Sequence, residues 1–243
     1  MNKIVEVLPD KEALIQRSLT IVLEKLQGAI ADRGHATIAL AGGSTPKPLY
    51  QQLATQALPW ESIHVFWGDE RYVPSDHPDS NEGMARHAWL DQVAFPSANI
   101  HPMPTANPDP AASASQHEAE LRQFFQLQAG EFPRFDVILL GIGDDGHTAS
   151  LFPHTDALRV HDRLVTVGNK DGQPRITFTA PLINHARSVL FIVSGTSKRP
   201  ALDQIFAPTA DSDSFPARLI QPMGELWWLL DQAAGQDLKS DDI

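Results

Sequence analysis

The residues best suited to chemistry in this chain sit together in the run 135–153, FDVILLGIGDDGHTASLFP. An apolar segment ends in three closely spaced glycines, Gly141, Gly143 and Gly146, and the turn they form presents Asp144, Asp145 and His147. A free imidazole titrates at about 6.5, so histidine can take a proton from water and return it to a leaving group near neutral pH. A neighbouring carboxylate can fix the tautomer of such a base, and both Asp144 and Asp145 are candidates for that task. The chain contains no cysteine and no G-x-S-x-G turn, so water rather than a covalent nucleophile is the expected attacking group.

Groups able to hold an anion are scattered further along the chain. Gly42-Gly43-Ser44-Thr45-Pro46 follows an apolar run, where glycines let backbone N–H groups converge and two hydroxyls add donors. The same residues could equally form an ordinary turn with a Ser or Thr helix cap. The segment 67–72, WGDERY, follows another apolar run. There the planar fork of Arg71 suits phosphate, while Asp69 or Glu70 could accept a proton or hold Arg71 in place. A solvated salt-bridge cluster is the plainer alternative. Arg175 opens an apolar run, and Lys198 falls at an expected helix start, where the helix dipole disfavours a cation; an anion could hold it there, with a plain surface lysine as the default alternative.

Several function classes are disfavoured. Gly141, Gly143 and Gly146 spell G-x-G-x-x-G, but Asp144 and Asp145 would face a pyrophosphate with like charge. Pro153 also comes too early for the long helix that a dinucleotide site needs. The segment Gly42–Pro46 lacks the G-K-[ST] ending of a triphosphate loop. A net charge of -11 argues against a general nucleic-acid binder and requires a local basic pocket for any anionic substrate. No His-Glu spacing of a metal site is present, although Asp144 and Asp145 beside His147 could in principle hold a divalent ion. The chain start has no long apolar core of a signal peptide, and no apolar run reaches membrane-spanning length, so a soluble cytoplasmic protein is expected.

These residues need a scaffold that brings several turns to one edge. Strand signals at 4–8, 36–40, 63–67, 135–140, 164–167, 175–179 and 189–193 alternate with helix signals at 10–32, 46–55, 81–92, 110–129, 181–185 and 198–206. The segment 225–234 reads as a helix that could equally begin as a strand, because LWWLL has no period. Residues 97–110, with four prolines, read as an ordered loop. Alternation at this spacing predicts an α/β fold with a largely parallel sheet in one domain spanning 1–243, with a frayed tail over 236–243.

Taken in order, A-G-G-S-T-P at 41–46, G-D-E-R at 68–71 and G-I-G-D-D-G-H-T-A-S-L-F-P at 141–153 resemble the 6-phosphogluconolactonases. These belong to a superfamily shared with the glucosamine-6-phosphate isomerases/deaminases. The resemblance runs from about residue 36 to 198 and rests most specifically on D-G-H-T-A-S-L-F-P. It implies a Rossmann-like α/β fold, neither a metal nor a redox cofactor, and hydrolysis of 6-phosphoglucono-δ-lactone to 6-phosphogluconate in the oxidative pentose phosphate pathway.

On this resemblance His147 is the general base, with Asp145 or Asp144 orienting it. Gly42, Gly43, Ser44, Thr45, Asp69, Arg71 and Lys198 bind the sugar phosphate, and Arg175 joins the phosphate site or binds the sugar acid's hydroxyls. The deaminase branch carries a glutamate after its histidine, in D-G-H-I-A-F-N-E-P. Here Ser150-Leu151-Phe152-Pro153 stands instead, which favours the lactonase branch. A sugar-phosphate-binding regulator is the alternative of another class. It is disfavoured by an intact His147 and by a first strand that starts at Ile4, leaving no room for an N-terminal DNA-reading module. The expected partner is a small sugar-phosphate lactone, neither nucleic acid nor membrane, for a monomer or small homo-oligomer. The polar segment 74–81, directly after Arg71, is expected to order over a bound ligand.

Overall fold

The computed structural model describes residues 2–238; residues 239–243 of the expected tail lie outside the described residues. The chain runs β1 (Asn2–Leu8), α1 (Lys11–Arg33), β2 (Ala36–Leu40), α2 (Lys47–Leu53), β3 (Ile63–Trp67), β4 (Asp69–Arg71), α3 (Asn81–Ala85), α4 (Pro110–Phe124), β5 (Val137–Leu140), β6 (Val165–Lys170), β7 (Gln173–Phe178), α5 (Ala180–Asn184), β8 (Ser188–Val193), α6 (Arg199–Phe206), β9 (Glu225–Asp231) and α7 (Gln232–Gly235).

Six strands form one sheet in the order β1-β9-β8-β5-β2-β3, and every pairing in it is parallel. Parallel strands need crossovers that cover both faces, so their central members are apolar on both sides. β5, Val-Ile-Leu-Leu, is buried throughout. Alternate residues feed two cores. Ala39, Phe66, Ile138, Leu140, Phe191 and Trp228 face one way, onto Leu121, Leu182 and Leu202 of α4, α5 and α6. Ile38, Leu40, Trp67, Val137, Leu139 and Leu190 face the other, onto Leu14, Leu26, Leu49 and Tyr50 of α1 and α2. Helix α1 is delimited by chemistry at both ends. The Asp10 side chain accepts the Ala13 N–H at 2.8 Å, and Gly34, at φ 80°, closes the last turn onto the Ile30 carbonyl.

Four expectations change. The segment 225–234 is mostly strand: Leu226, Trp228, Leu229 and Leu230 are all buried, so burial on both faces erased the period that would have marked it. Residues 164–167 and 175–179 do form strands, but β6 and β7 leave the main sheet as an antiparallel hairpin that pairs with β4. Helix α4 stops at Phe124, before 129, where Phe124 and Phe125 turn in against Phe66 and Phe135. Regular helix over 81–92 ends at Ala85 and continues as a wide π-type turn over Arg86–Leu90, which buries Trp89 beside Tyr50 and Trp60.

The chain path reverses between β2 and β5: β2 leads outward to β3, and β5 leads the other way to β8. Such a switch opens a crevice at the carboxyl ends of the strands.

Candidate active site

That crevice is a cavity of about 690 Å³ lined by the turns after β2, β3, β5 and β8 and by the β6–β7 hairpin. Of the residues singled out from the sequence, Gly42, Gly43, Ser44, Thr45, Asp69, Arg71, Asp144, Asp145, His147, Arg175 and Lys198 line it, and Glu70 does not.

The turn after β5 is built around its histidine. The Gly143 N–H donates to the His147 carbonyl at 2.9 Å, and the Gly146 N–H donates to the Gly143 carbonyl at 3.1 Å. Gly146 stands at φ 77°, and the Thr148 hydroxyl donates back to the Gly141 carbonyl at 2.9 Å. Within this frame the Asp145 Oδ1 lies 2.5 Å from His147 Nδ1 and also accepts the His147 backbone N–H at 3.1 Å. A carboxylate partner on Nδ1 assigns the proton to that nitrogen and leaves Nε2 with its lone pair. Burial pushes the Asp145 carboxyl up, but its bonds and charge pairing with His147 outweigh this and hold it down at about 2. Phe152 packs against the imidazole at a ring separation of 4.5 Å.

Asp144 turns away from the imidazole. Its Oδ1 accepts from Lys198 Nζ at 2.7 Å and from the Ser197 hydroxyl at 3.1 Å. Hydrogen bonding from Lys198 holds its carboxyl below the usual range. The geometry thus puts Asp145 rather than Asp144 on the base, and Asp144 pairs with Lys198 instead. Asp231 in turn secures the loop that carries Lys198, accepting from the Ser194 hydroxyl and the Gly195 N–H.

Arg71 and Arg175 are direct cross-strand partners on β4 and β7. Burial lowers the Arg175 pKa and the nearby Arg71 charge lowers it further. Two guanidiniums side by side at a cavity wall repel each other, and a dianion between them would relieve that repulsion. Arg71 reaches back to the Asp79 carbonyl at 2.6 Å. Glu70 does not touch the cavity: it is 3% exposed and its oxygens accept N–H groups of Arg71, Asn81 and Glu82 and the Ser80 hydroxyl. It therefore ties both ends of the 71–80 loop, while Asp69 faces the cavity.

The turn after β2 makes no side-chain helix cap at α2, so Ser44 and Thr45 are not spent on one. It is pinned from below by the fully buried Tyr50, whose hydroxyl accepts the Ala41 N–H at 3.0 Å and donates to the Ala41 carbonyl at 2.7 Å. Glycine at 42 leaves room for Asn81, since a Cβ there would fall 1.9 Å from the Asn81 Oδ1 and push that side chain aside. Asn81 and Lys170 also line the cavity and were not found from the sequence. Lys170 lies at a hairpin tip with no sequence signal, whereas Asn81 could have been suspected from its place at the start of a helix.

Among the described residues no group of three or more His, Asp or Glu is placed to hold a metal ion, and no helix is long and apolar enough to cross a membrane.

The chain is similar to several known proteins. Residues 9–228 match the family model described as glucosamine-6-phosphate isomerases/6-phosphogluconolactonase. The chain is 68% identical over 235 residues to a 6-phosphogluconolactonase of Synechocystis sp., covering 97% of this chain and 98% of that one. It is 65% identical to the 6-phosphogluconolactonase of Nostoc sp., covering 98% and 99%. Among solved structures, the 6-phosphogluconolactonase of Trypanosoma brucei superposes with a TM-score of 0.85 at 30% identity, covering 98% of this chain and 99% of that one. The chain belongs to the glucosamine-6-phosphate isomerase/6-phosphogluconolactonase family.

Proposed function

We propose that this protein hydrolyses 6-phosphoglucono-δ-lactone to 6-phosphogluconate, the lactone-opening step of the oxidative pentose phosphate pathway, in the cytoplasm. The observation that carries the mechanism is the Asp145–His147 pair at 2.5 Å, set in the same cavity as the Arg71–Arg175 pair. The substrate's phosphate is a dianion at one end and its reacting ester carbonyl lies at the other. A site with a cationic wall and a separate oriented base matches both ends.

His147 Nε2 accepts a proton from water as the water oxygen attacks the lactone carbonyl. The imidazolium formed is stabilised by the ionised Asp145, which keeps its own proton off. Collapse of the tetrahedral intermediate breaks the bond from the carbonyl carbon to the ring oxygen. The imidazolium returns its proton to that oxygen, leaving an open-chain acid that ionises. Arg71, Arg175 and Lys198, with Ser44, Thr45 and the Gly42-Gly43 backbone, hold the phosphate, and binding there positions the carbonyl against the base. Lys198 leaves Asp144 to do so. Asp69 accepts from a hydroxyl of the sugar.

The test is hydrolysis of freshly generated lactone by wild type beside His147→Ala. A wild-type rate well above spontaneous opening, lost in a folded variant, is expected. A wild type at background would overturn the activity, and a fast variant would overturn the base.

A further inference from the structure

Ser150 has no exposed surface and lies three residues beyond His147, yet its hydroxyl is aimed at a residue of another loop that lines the cavity. It donates to the Asp69 Oδ2 at 2.6 Å, while its backbone N–H donates to the Thr177 hydroxyl at 3.1 Å. Asp69 and Thr177 are themselves cross-strand partners on β4 and β7. One serine therefore joins the loop of the base to both strands that carry the arginine pair. It has little freedom to do otherwise, because the β6 backbone presses on it: a Cβ at Gly168 would sit 2.3 Å from the Ser150 carbonyl oxygen.

Asp69 is 8% exposed and lines the cavity. Among the described residues only its Oδ2 accepts a side-chain hydrogen bond. Its Oδ1 is left for a donor from the ligand, and a sugar hydroxyl is such a donor. A carboxylate beside Arg71 and Arg175 has a competing option, which is to swing onto a guanidinium and cancel the charge the phosphate needs.

We infer that Ser150 is a positioning residue that holds Asp69 off the arginine pair and turns its free oxygen toward a substrate hydroxyl. This rests on the lactonase reading for its substrate but not for its geometry. Hydrogen bonds to a buried charged group are strong enough that losing this one changes affinity about tenfold or more.

The test is a double-mutant cycle of Ser150→Ala and Asp69→Asn, read both as kcat and KM for the fresh lactone and as dissociation constants for 6-phosphogluconate. Ser150→Ala alone is expected to raise KM and the dissociation constant about tenfold, with a smaller effect on kcat. In the Asp69→Asn background the same change is expected to cost less than about twofold, because the partner is gone. Equal losses in both backgrounds would overturn the inference, since they would mark Ser150 as structural on its own account. A Ser150→Ala variant that binds like wild type would overturn it as well. Wild type at the spontaneous rate would remove the lactonase reading, while the dissociation constants would still decide the coupling. Should Ser150→Ala not fold, Ser150→Cys enters the same cycle as a weakened donor: a rise in the dissociation constant that vanishes in the Asp69→Asn background supports the inference, and a rise equal in both backgrounds overturns it.

Discussion

At the scale of single residues, the separation of Asp144 from Asp145 is what gives the site two distinct ends. Both carry the same charge one residue apart, yet one is bonded to the imidazole and the other to Lys198. The sequence could place both carboxylates beside His147 but not distinguish them, because the choice depends on the turn of the backbone at Gly143 and on where the β8 loop brings Lys198. If Asp145 fixes the tautomer, Asp145→Asn removes the charge that stabilises the imidazolium and allows the wrong nitrogen to carry the proton. Its kcat is expected to fall by about 10² to 10⁴, with KM little changed. A fall in kcat of less than tenfold would show that His147 needs no anionic partner. Arg71 and Arg175 were legible one by one as cations after apolar runs. Their pairing was not, since it is made by an antiparallel contact between segments about a hundred residues apart in sequence, a separation no local pattern records.

At the scale of elements, the glycines of the histidine turn show how a loop is made to hold a site, and they differ sharply from one another. A Cβ at Gly143 would lie 2.0 Å from His147 Nδ1 and 2.4 Å from Asp145 Oδ1, whereas one at Gly141 would meet nothing within 4 Å. Overpacking costs about 1–3 kcal/mol when the surroundings can move. A surface turn can move, so Gly143→Ala is expected to fold but to separate the base from its carboxylate. Its kcat is expected to approach that of His147→Ala, while Gly141→Ala loses far less. Equal behaviour of the two variants in the lactone assay would mean the turn is not held by this contact. The second glycine of the G-x-G-x-x-G spelling therefore has a steric cause of its own: Gly143 makes room for an imidazole and its partner rather than for a pyrophosphate. Strand-to-turn positions were legible because apolar runs ending in glycine mark them. The hairpin's departure from the main sheet was not, since β6 and β7 have ordinary strand composition and only tertiary pairing sends them to β4.

At the scale of the whole molecule, the sheet order and the two cores follow from parallel pairing, but the ten histidines were not legible as a system. Several form a chain among residues that do not line the cavity. His64 Nδ1 meets His101 Nε2 at 3.1 Å. His101 Nδ1 meets Glu120 Oε1 at 3.1 Å, and His117 Nδ1 meets Glu120 Oε2 at 3.2 Å. The chain stitches β3 and the loop before α4 to α4 itself. Burial, with His101 and His35 adding to it, pushes the His64 pKa down to about 4. Burial raises the Glu120 pKa, but hydrogen bonds from His101 and His117 outweigh it and hold it at about 2. Unfolding releases both groups to their ordinary values, so the unfolded chain binds the extra proton on His64 between about pH 6.5 and 4. Stability is therefore lost as the pH falls through that window. Glu120 continues the loss below it, as the pH falls from the ordinary carboxylate range toward about 2. His64→Gln removes the first proton without charging the site. Thermal melts between pH 7 and 5 are expected to show a shallower fall in Tm for His64→Gln than for wild type. Identical slopes would place the acid sensitivity elsewhere. Because none of these groups lines the cavity, kcat at pH 7 should be the same in both, which separates acid stability from the chemistry of His147.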